Sequence, residues 1–176
     1  MRRHYLLATI ILLTIYTLEG QTVRVNCIEK ERKVPDSEDP IIIRTCFIKN
    51  YKFKETSYPD YAGRYFNSEH EVYLLAGKKY IKINNSDFFN KKQDELESMV
   101  NERIQSDFRS FLTDSLSRDC LVGLDSIPKY KVNDLEISFM DNEIWFQVRW
   151  GLPGACRPFD GTIVSFKLRE IGRFIK

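Results

Sequence analysis

Beyond residue 20 the chain holds one histidine, His70, and four cysteines, Cys27, Cys46, Cys120 and Cys156. Histidine- or cysteine-based chemistry has to be built from these five. A Ser/His/Asp or Cys/His centre would need His70 as its base. His70 lies among Ser68, Glu69 and Glu71 at the start of a predicted strand, where a solvated surface histidine is expected. No GxSxG, HExxH, phosphate-loop or GxGxxG pattern occurs. Paired acids could hydrolyse a glycosidic bond, but that mechanism depends on a separation in space that spacing along a chain does not give. No catalytic residue is therefore singled out, and no cofactor or metal is expected.

The cysteines point to structure instead. An even number in an exported chain reads as two disulfides, for which three connectivities exist. Cys27 follows the alternation Val23, Val25, and Cys46 lies in the apolar stretch that begins at Ile41, so two neighbouring strands would bring them together. Cys120 follows a long helical pattern, and Cys156 lies in a Gly/Pro-rich loop able to fold over that helix end. Cys27 with Cys46 and Cys120 with Cys156 is the favoured pairing. Zinc would call for tighter ligand pairs such as CxxC, which the sequence lacks.

The export reading comes from residues 1–20. Arg2 and Arg3 precede an apolar run from Tyr5 to Tyr16, and Thr17-Leu18-Glu19-Gly20 closes it with a small residue. This is a signal-peptide pattern, with cleavage expected after Gly20. A spanning helix needs about 20 apolar residues, and Glu19 ends this run too early. The expected mature chain, 21–176, is a single domain with no membrane anchor, secreted or periplasmic. Of 27 basic and 25 acidic residues, removal of Arg2, Arg3 and Glu19 leaves a formal charge of +1. Such a chain has no electrostatic footprint for nucleic acid or an anionic membrane. The sequon Asn84-Asn85-Ser86 has meaning only in a eukaryotic host and is read as a chance match.

Two loops gather the side chains that anchor interfaces or stack on sugar rings. Tyr58, Tyr61, Arg64 and Tyr65 surround Pro59-Asp60 and Gly63. Trp150, Arg157, Phe159 and Asp160 surround the Cys156 loop. These eight form the candidate binding surface, set against the plainer reading that the aromatics cover a sheet edge.

The elements that must hold these loops are strands, then a helix, then strands. Residues 22–29 read as a short strand and 31–40 as a loop. Ile41 to Glu55 is expected as one long strand, and Arg64–Leu75 with Lys78–Ile83 as a hairpin around Ala76-Gly77. From Phe89 the apolar positions Leu96, Met99, Val100, Ile104, Phe108, Phe111, Leu112 and Leu116 follow three-and-four spacing, with Asn90 as the expected cap. Asp94, Glu95 and Glu97 suit the positive helix end. Leu135, Ile137 and Phe139 alternate with polar residues, then Ile144, Phe146, Val148 and Trp150 alternate with Trp145, Gln147 and Arg149, a hairpin with one buried face turning at Asp141-Asn142, and Thr162–Leu168 returns as a strand. The expected fold is α+β: one long amphipathic helix packed on an antiparallel sheet.

The tract Tyr80-Ile81-Lys82-Ile83-Asn84-Asn85-Ser86-Asp87-Phe88-Phe89 leads into the long helix. It is followed by Leu135-Glu136-Ile137-Ser138-Phe139, an aromatic hairpin, a Pro/Gly/Ala loop and a closing strand. This order resembles a bacterial extracytoplasmic domain family, typified by the lysozyme-sensing ectodomain of the sigma-V anti-sigma factor and by a domain accompanying some secreted peptidoglycan deacetylases. The resemblance spans roughly Tyr65 to Ile171. The loop Leu152-Pro153-Gly154-Ala155-Cys156 departs from it, lacking the Tyr-Ala pair expected after Pro, and the sequence shows neither a membrane-anchored regulatory segment nor a deacetylase domain. The resemblance implies an α+β fold and assigns no functional residue.

Two functional expectations follow. One is an exported, non-catalytic binding domain that recognises a protein, for example a muramidase, or a cell-wall glycan. The other is a small secreted carboxylate-dependent hydrolase acting on cell-wall or other glycans, which requires a concave pocket where acids with perturbed pKa values converge.

Overall fold

The computed structural model describes residues 24–34, 39–59 and 67–176. The signal-peptide segment therefore lies outside the described residues. Five antiparallel strands form one sheet in sequence order: β1 (Asn26–Arg32), β2 (Ile41–Ile48), β3 (Tyr51–Tyr58), β4 (Asn67–Ala76) and β5 (Lys79–Ile83). A long helix, α1 (Gln93–Thr113), leads to a second antiparallel sheet of β6 (Glu136–Met140), β7 (Glu143–Val148) and β8 (Thr162–Lys167). A single turn of helix, α2 (Leu168–Ile171), begins the C-terminal tail. The α+β expectation holds, with two sheets where one was expected.

The long strand expected from Ile41 to Glu55 is two strands. Lys49 takes a left-handed backbone, φ 51°, and reverses the chain so that Ile48 pairs with Tyr51. A non-glycine residue rarely adopts that conformation, and the surrounding β-branched and aromatic run conceals it. The first strand also runs to Arg32, farther than expected, because its register with β2 continues to the Arg32–Ile41 pair. The turn at Asp141-Asn142 is as expected. Both residues are left-handed, at φ 49° and 64°, as a two-residue hairpin matched to strand twist requires.

Aromatic rings join the sheets. Phe53 of β3 meets Phe139 of β6 and Phe88, at centroid separations of 4.7 and 4.8 Å. Phe88 stacks edge-on against Phe89 at 4.8 Å, and Phe89 reaches Phe146 of β7. Leu96, Val100, Ile104 and Phe108 bury the expected stripe of α1, and the Arg103 guanidinium lies over the Phe166 ring of β8. The tail contributes Leu168, Ile171, Phe174 and Ile175 to the same core, a packing role that short apolar spacing did not reveal.

Two expectations about α1 need correction. Leu116 does not extend the stripe: it is 75% exposed. Asp114 leaves the helix in an extended conformation, and its Oδ2 accepts from both the N–H and the hydroxyl of Ser117, turning the chain outward. Nor is Asn90 the cap, a position held by Lys92. Asn90 instead accepts the Lys92 N–H and donates Nδ2 to the Arg173 carbonyl, tying the helix entry to the C-terminal tail.

Both favoured disulfides are present. Cys27 lies directly opposite Cys46 in the β1–β2 register. Cys120 and Cys156 tie the segment after α1 to the loop between β7 and β8.

Candidate functional site

Of the first aromatic loop chosen from sequence, the structure describes only Tyr58. Tyr58 ends β3, half-buried and paired with Asn67. A hydrogen bond from its phenol to Glu69 is the main cause of its raised pKa. Tyr61, Arg64 and Tyr65 lie outside the described residues. Trp150, Arg157, Phe159 and Asp160 come together in the loop between β7 and β8, where two of them have structural work. The Trp150 ring packs against Phe108 and Phe111 of α1, at 5.4 and 5.6 Å between centroids. Asp160 Oδ1 accepts the N–H groups of Trp150 and Leu152, which closes the loop on itself. Gly161 follows with φ 111°, and a Cβ there would overlap the Val148 carbonyl. Arg157 remains exposed and Phe159 half-buried at the loop surface.

His70 is not a solvated surface residue, because its strand runs along the seam between the sheets. Only 10% of its side chain is exposed. Nδ1 lies 3.3 Å from the Ile137 carbonyl of β6, and Nε2 lies 3.0 Å from Ser68 Oγ and 3.4 Å from Glu136 Oε2. A backbone carbonyl, rather than a carboxylate, thus holds the nitrogen remote from the serine. His70, Glu71, Lys82, Asp134 and Glu136 line a cleft of about 290 Å³ along this seam. Glu71 is held at a pKa of about 2, chiefly by its hydrogen bond from Lys82, with Tyr73 and Lys54 adding to it against the upward push of burial.

A larger concavity, about 620 Å³, runs between α1 and the extended segment 127–131. Residues four apart share one helix face, and here Glu97, Asn101 and Gln105 use that face to hold a backbone. Glu97 Oε1 accepts the Val132 N–H at 2.9 Å. Asn101 exchanges two hydrogen bonds with Tyr130, and Gln105 donates Nε2 to the Ile127 carbonyl at 3.2 Å. The segment is therefore fixed along the helix as a strand would be along a sheet. Asp94, Ser98, Glu102 and Arg109 are left solvent-exposed on the helix wall, facing Lys129 and the half-buried Tyr130 on the other.

Burial pushes the Glu97 carboxyl up, but the Val132 N–H, the Gln93 amide and Lys131 together overcome it and hold the group below the usual range. Lys131 Nζ lies 3.0 Å from Glu97 Oε2. Burial raises the Tyr130 phenol, with the charges of Asp134 and Asp160 adding to it. The charge of Asp160, in the Cys156 loop, thus reaches the groove. None of these groove residues was read from sequence as part of a binding site; Asp94 and Glu97 were assigned only to the positive helix end. The i, i+4, i+8 recurrence of Glu97, Asn101 and Gln105 was the available signal, and a polar stripe of that kind reads as an ordinary solvated face.

Among the described residues no helix is long and apolar enough to cross a membrane, and no group of three or more His, Cys, Asp or Glu side chains is arranged to hold a metal ion. In comparisons with known proteins, the chain matches no family model, no curated protein and no solved structure.

Proposed function

We propose that this is an exported, non-catalytic binding domain that recognises an extracytoplasmic protein, such as a muramidase, or a cell-wall glycan. The observation that carries the reading is the groove along α1: an open, preformed concavity of about 620 Å³ whose walls offer carboxylates, cations, a hydroxyl and a tyrosine. Its size falls within the range of ligand sites, and its second wall is pinned in place by three helix side chains. The signal-peptide pattern and the resemblance to extracytoplasmic sensing domains support the compartment and the ligand class.

The hydrolase alternative also needs a concave site with converging acids, and Asp94, Glu97 and Glu102 do line this one. A glycosidase acid, however, must hold a proton near neutral pH, which calls for a raised pKa. Glu97 is shifted the other way, and both of its oxygens are engaged by donors. Glu71 in the seam cleft is likewise lowered. These shifts suit ion pairs that set structure.

The test is a pull-down with the mature chain, residues 21–176, against purified muramidases, with insoluble peptidoglycan as a parallel lane. Retention in either lane supports the reading. The absence of retention in both removes it.

A further inference from the structure

Resting on the reading above, we infer that the groove between α1 and residues 127–131 is the binding site, and that its ligand is an uncharged oligosaccharide. The charges lining the groove balance. Asp94, Glu97 and Glu102 on the helix wall are matched by Arg109, Lys129 and Lys131, three anions against three cations. A polyanion or a polycation gains nothing from such a field. A ligand without net charge loses nothing.

Internal hydrogen bonds occupy part of the lining and leave the rest to solvent. Asn101 spends its amide on the Glu97 and Tyr130 carbonyls and its oxygen on the Tyr130 N–H. Glu97 is consumed by Gln93, Lys131 and Val132. These residues build the wall and are not available to a ligand. What faces solvent is a mixture of acceptors, Asp94 and Glu102, with donors, Arg109 and Lys129, and the hydroxyl of Ser98, which makes one long hydrogen bond of 3.5 Å to Glu102 Oε1. Sugar hydroxyls both donate and accept, so they can satisfy the two kinds together, and charge-assisted hydrogen bonds of this sort are the strong ones.

Among the described residues, Tyr130 is the one aromatic residue lining the groove. It is half-buried, packed in part against the hydrophobic core, and Asn101 clamps both its N–H and its carbonyl. A ring whose main chain is already fixed loses little freedom on binding, which makes it a preorganised surface for the apolar face of a pyranose. Apolar ligands gain less here, because every other side chain on the open rim is polar or charged.

The experiment is titration calorimetry of the mature chain with the β-1,4-linked tetramer of N-acetylglucosamine and with cellotetraose, at low and high salt. At least one tetramer is expected to bind saturably, with an affinity that salt leaves nearly unchanged because the ligand carries no charge. Glu102→Ala and Tyr130→Ala are each expected to weaken binding about tenfold, while Glu31→Ala on the exposed strand β1 leaves it as it is. Glu102 is exposed and outside the clamp, so its variant reads the site even if Tyr130→Ala is unstable. Absence of binding by both tetramers, binding that both groove variants leave intact, or steep loss of binding with salt would each overturn the inference. If the tetramers fail while a muramidase is still retained in the pull-down, the groove assignment alone falls. If both fail, the binding-domain reading falls with it.

Discussion

Asn101 pairs with Tyr130 as one strand pairs with another: its Nδ2 donates to the Tyr130 carbonyl at 2.8 Å, and its Oδ1 accepts the Tyr130 N–H at 2.8 Å. Asn101 is buried, 8% exposed, and engages both backbone groups of the half-buried Tyr130 while its Nδ2 also donates to the Glu97 carbonyl. Replacing Asn101 with Ala removes three hydrogen bonds and is expected to destabilise the protein by about 1–3 kcal/mol. Chemical denaturation measures it. A shift below about 0.5 kcal/mol, ordinary for a surface position, would mean that residues 127–131 do not depend on this clamp.

Acid should weaken the fold through two carboxylates. Glu71 is held at about 2 against a reference of 4.5, and Glu97 is also held below its reference. With the folded-state value depressed, their contribution is complete above about 4.5 and is lost as the pH falls toward the folded value. Stability measured by denaturant between pH 5 and 2.5 is expected to decline, and Glu71→Gln is expected to flatten the decline. An unchanged slope in that variant would contradict the ion-pair assignment.

The disulfides should differ in what they protect. Every residue of β1 is exposed, so the strand is held by its ladder with β2 and by Cys27–Cys46. In a Cys27→Ser, Cys46→Ser variant the amides of Asn26–Arg32 are expected to exchange freely while the near-ultraviolet signal of the aromatic core persists. Cys120–Cys156 closes a longer loop, over the end of α1, and its removal is expected to cost about 3 kcal/mol of global stability. Equal, global loss in both variants would show that β1 belongs to the cooperative core.

Gly161 is expected to tolerate no side chain. At φ 111° an L-residue is strained, and a Cβ would overlap the Val148 carbonyl. Gly161→Ala should therefore lower stability by about 3 kcal/mol or more, read from the thermal midpoint. A neutral result would mean that the Asp160 closure can relax.

The parts of the fold that repeat along the chain were legible in it. Leu96, Val100, Ile104 and Phe108 mark their helix face by spacing alone, and Ile137, Phe139, Ile144 and Phe146 mark a sheet face in the same way. The cysteine pairing followed from the order of neighbouring elements. What escaped depends on single backbone conformations or on contacts distant in sequence. Lys49 reverses the chain with no glycine to announce it. His70 is withdrawn from solvent by β6, 67 residues away. Trp150, which the alternation put on the buried face and the loop composition put on the candidate surface, packs against Phe108 and Phe111. The groove was hidden for the same reason, since the side chains of Glu97, Asn101 and Gln105 bind a backbone, and a backbone partner leaves no residue type to recognise.

Binding without turnover can be read in one experiment, by incubating the mature chain with insoluble peptidoglycan and following both sedimentation of the protein and release of reducing ends. Protein is expected to leave the supernatant with the wall while no reducing ends appear. Release of reducing ends above the protein-free control would contradict it and make this chain an enzyme.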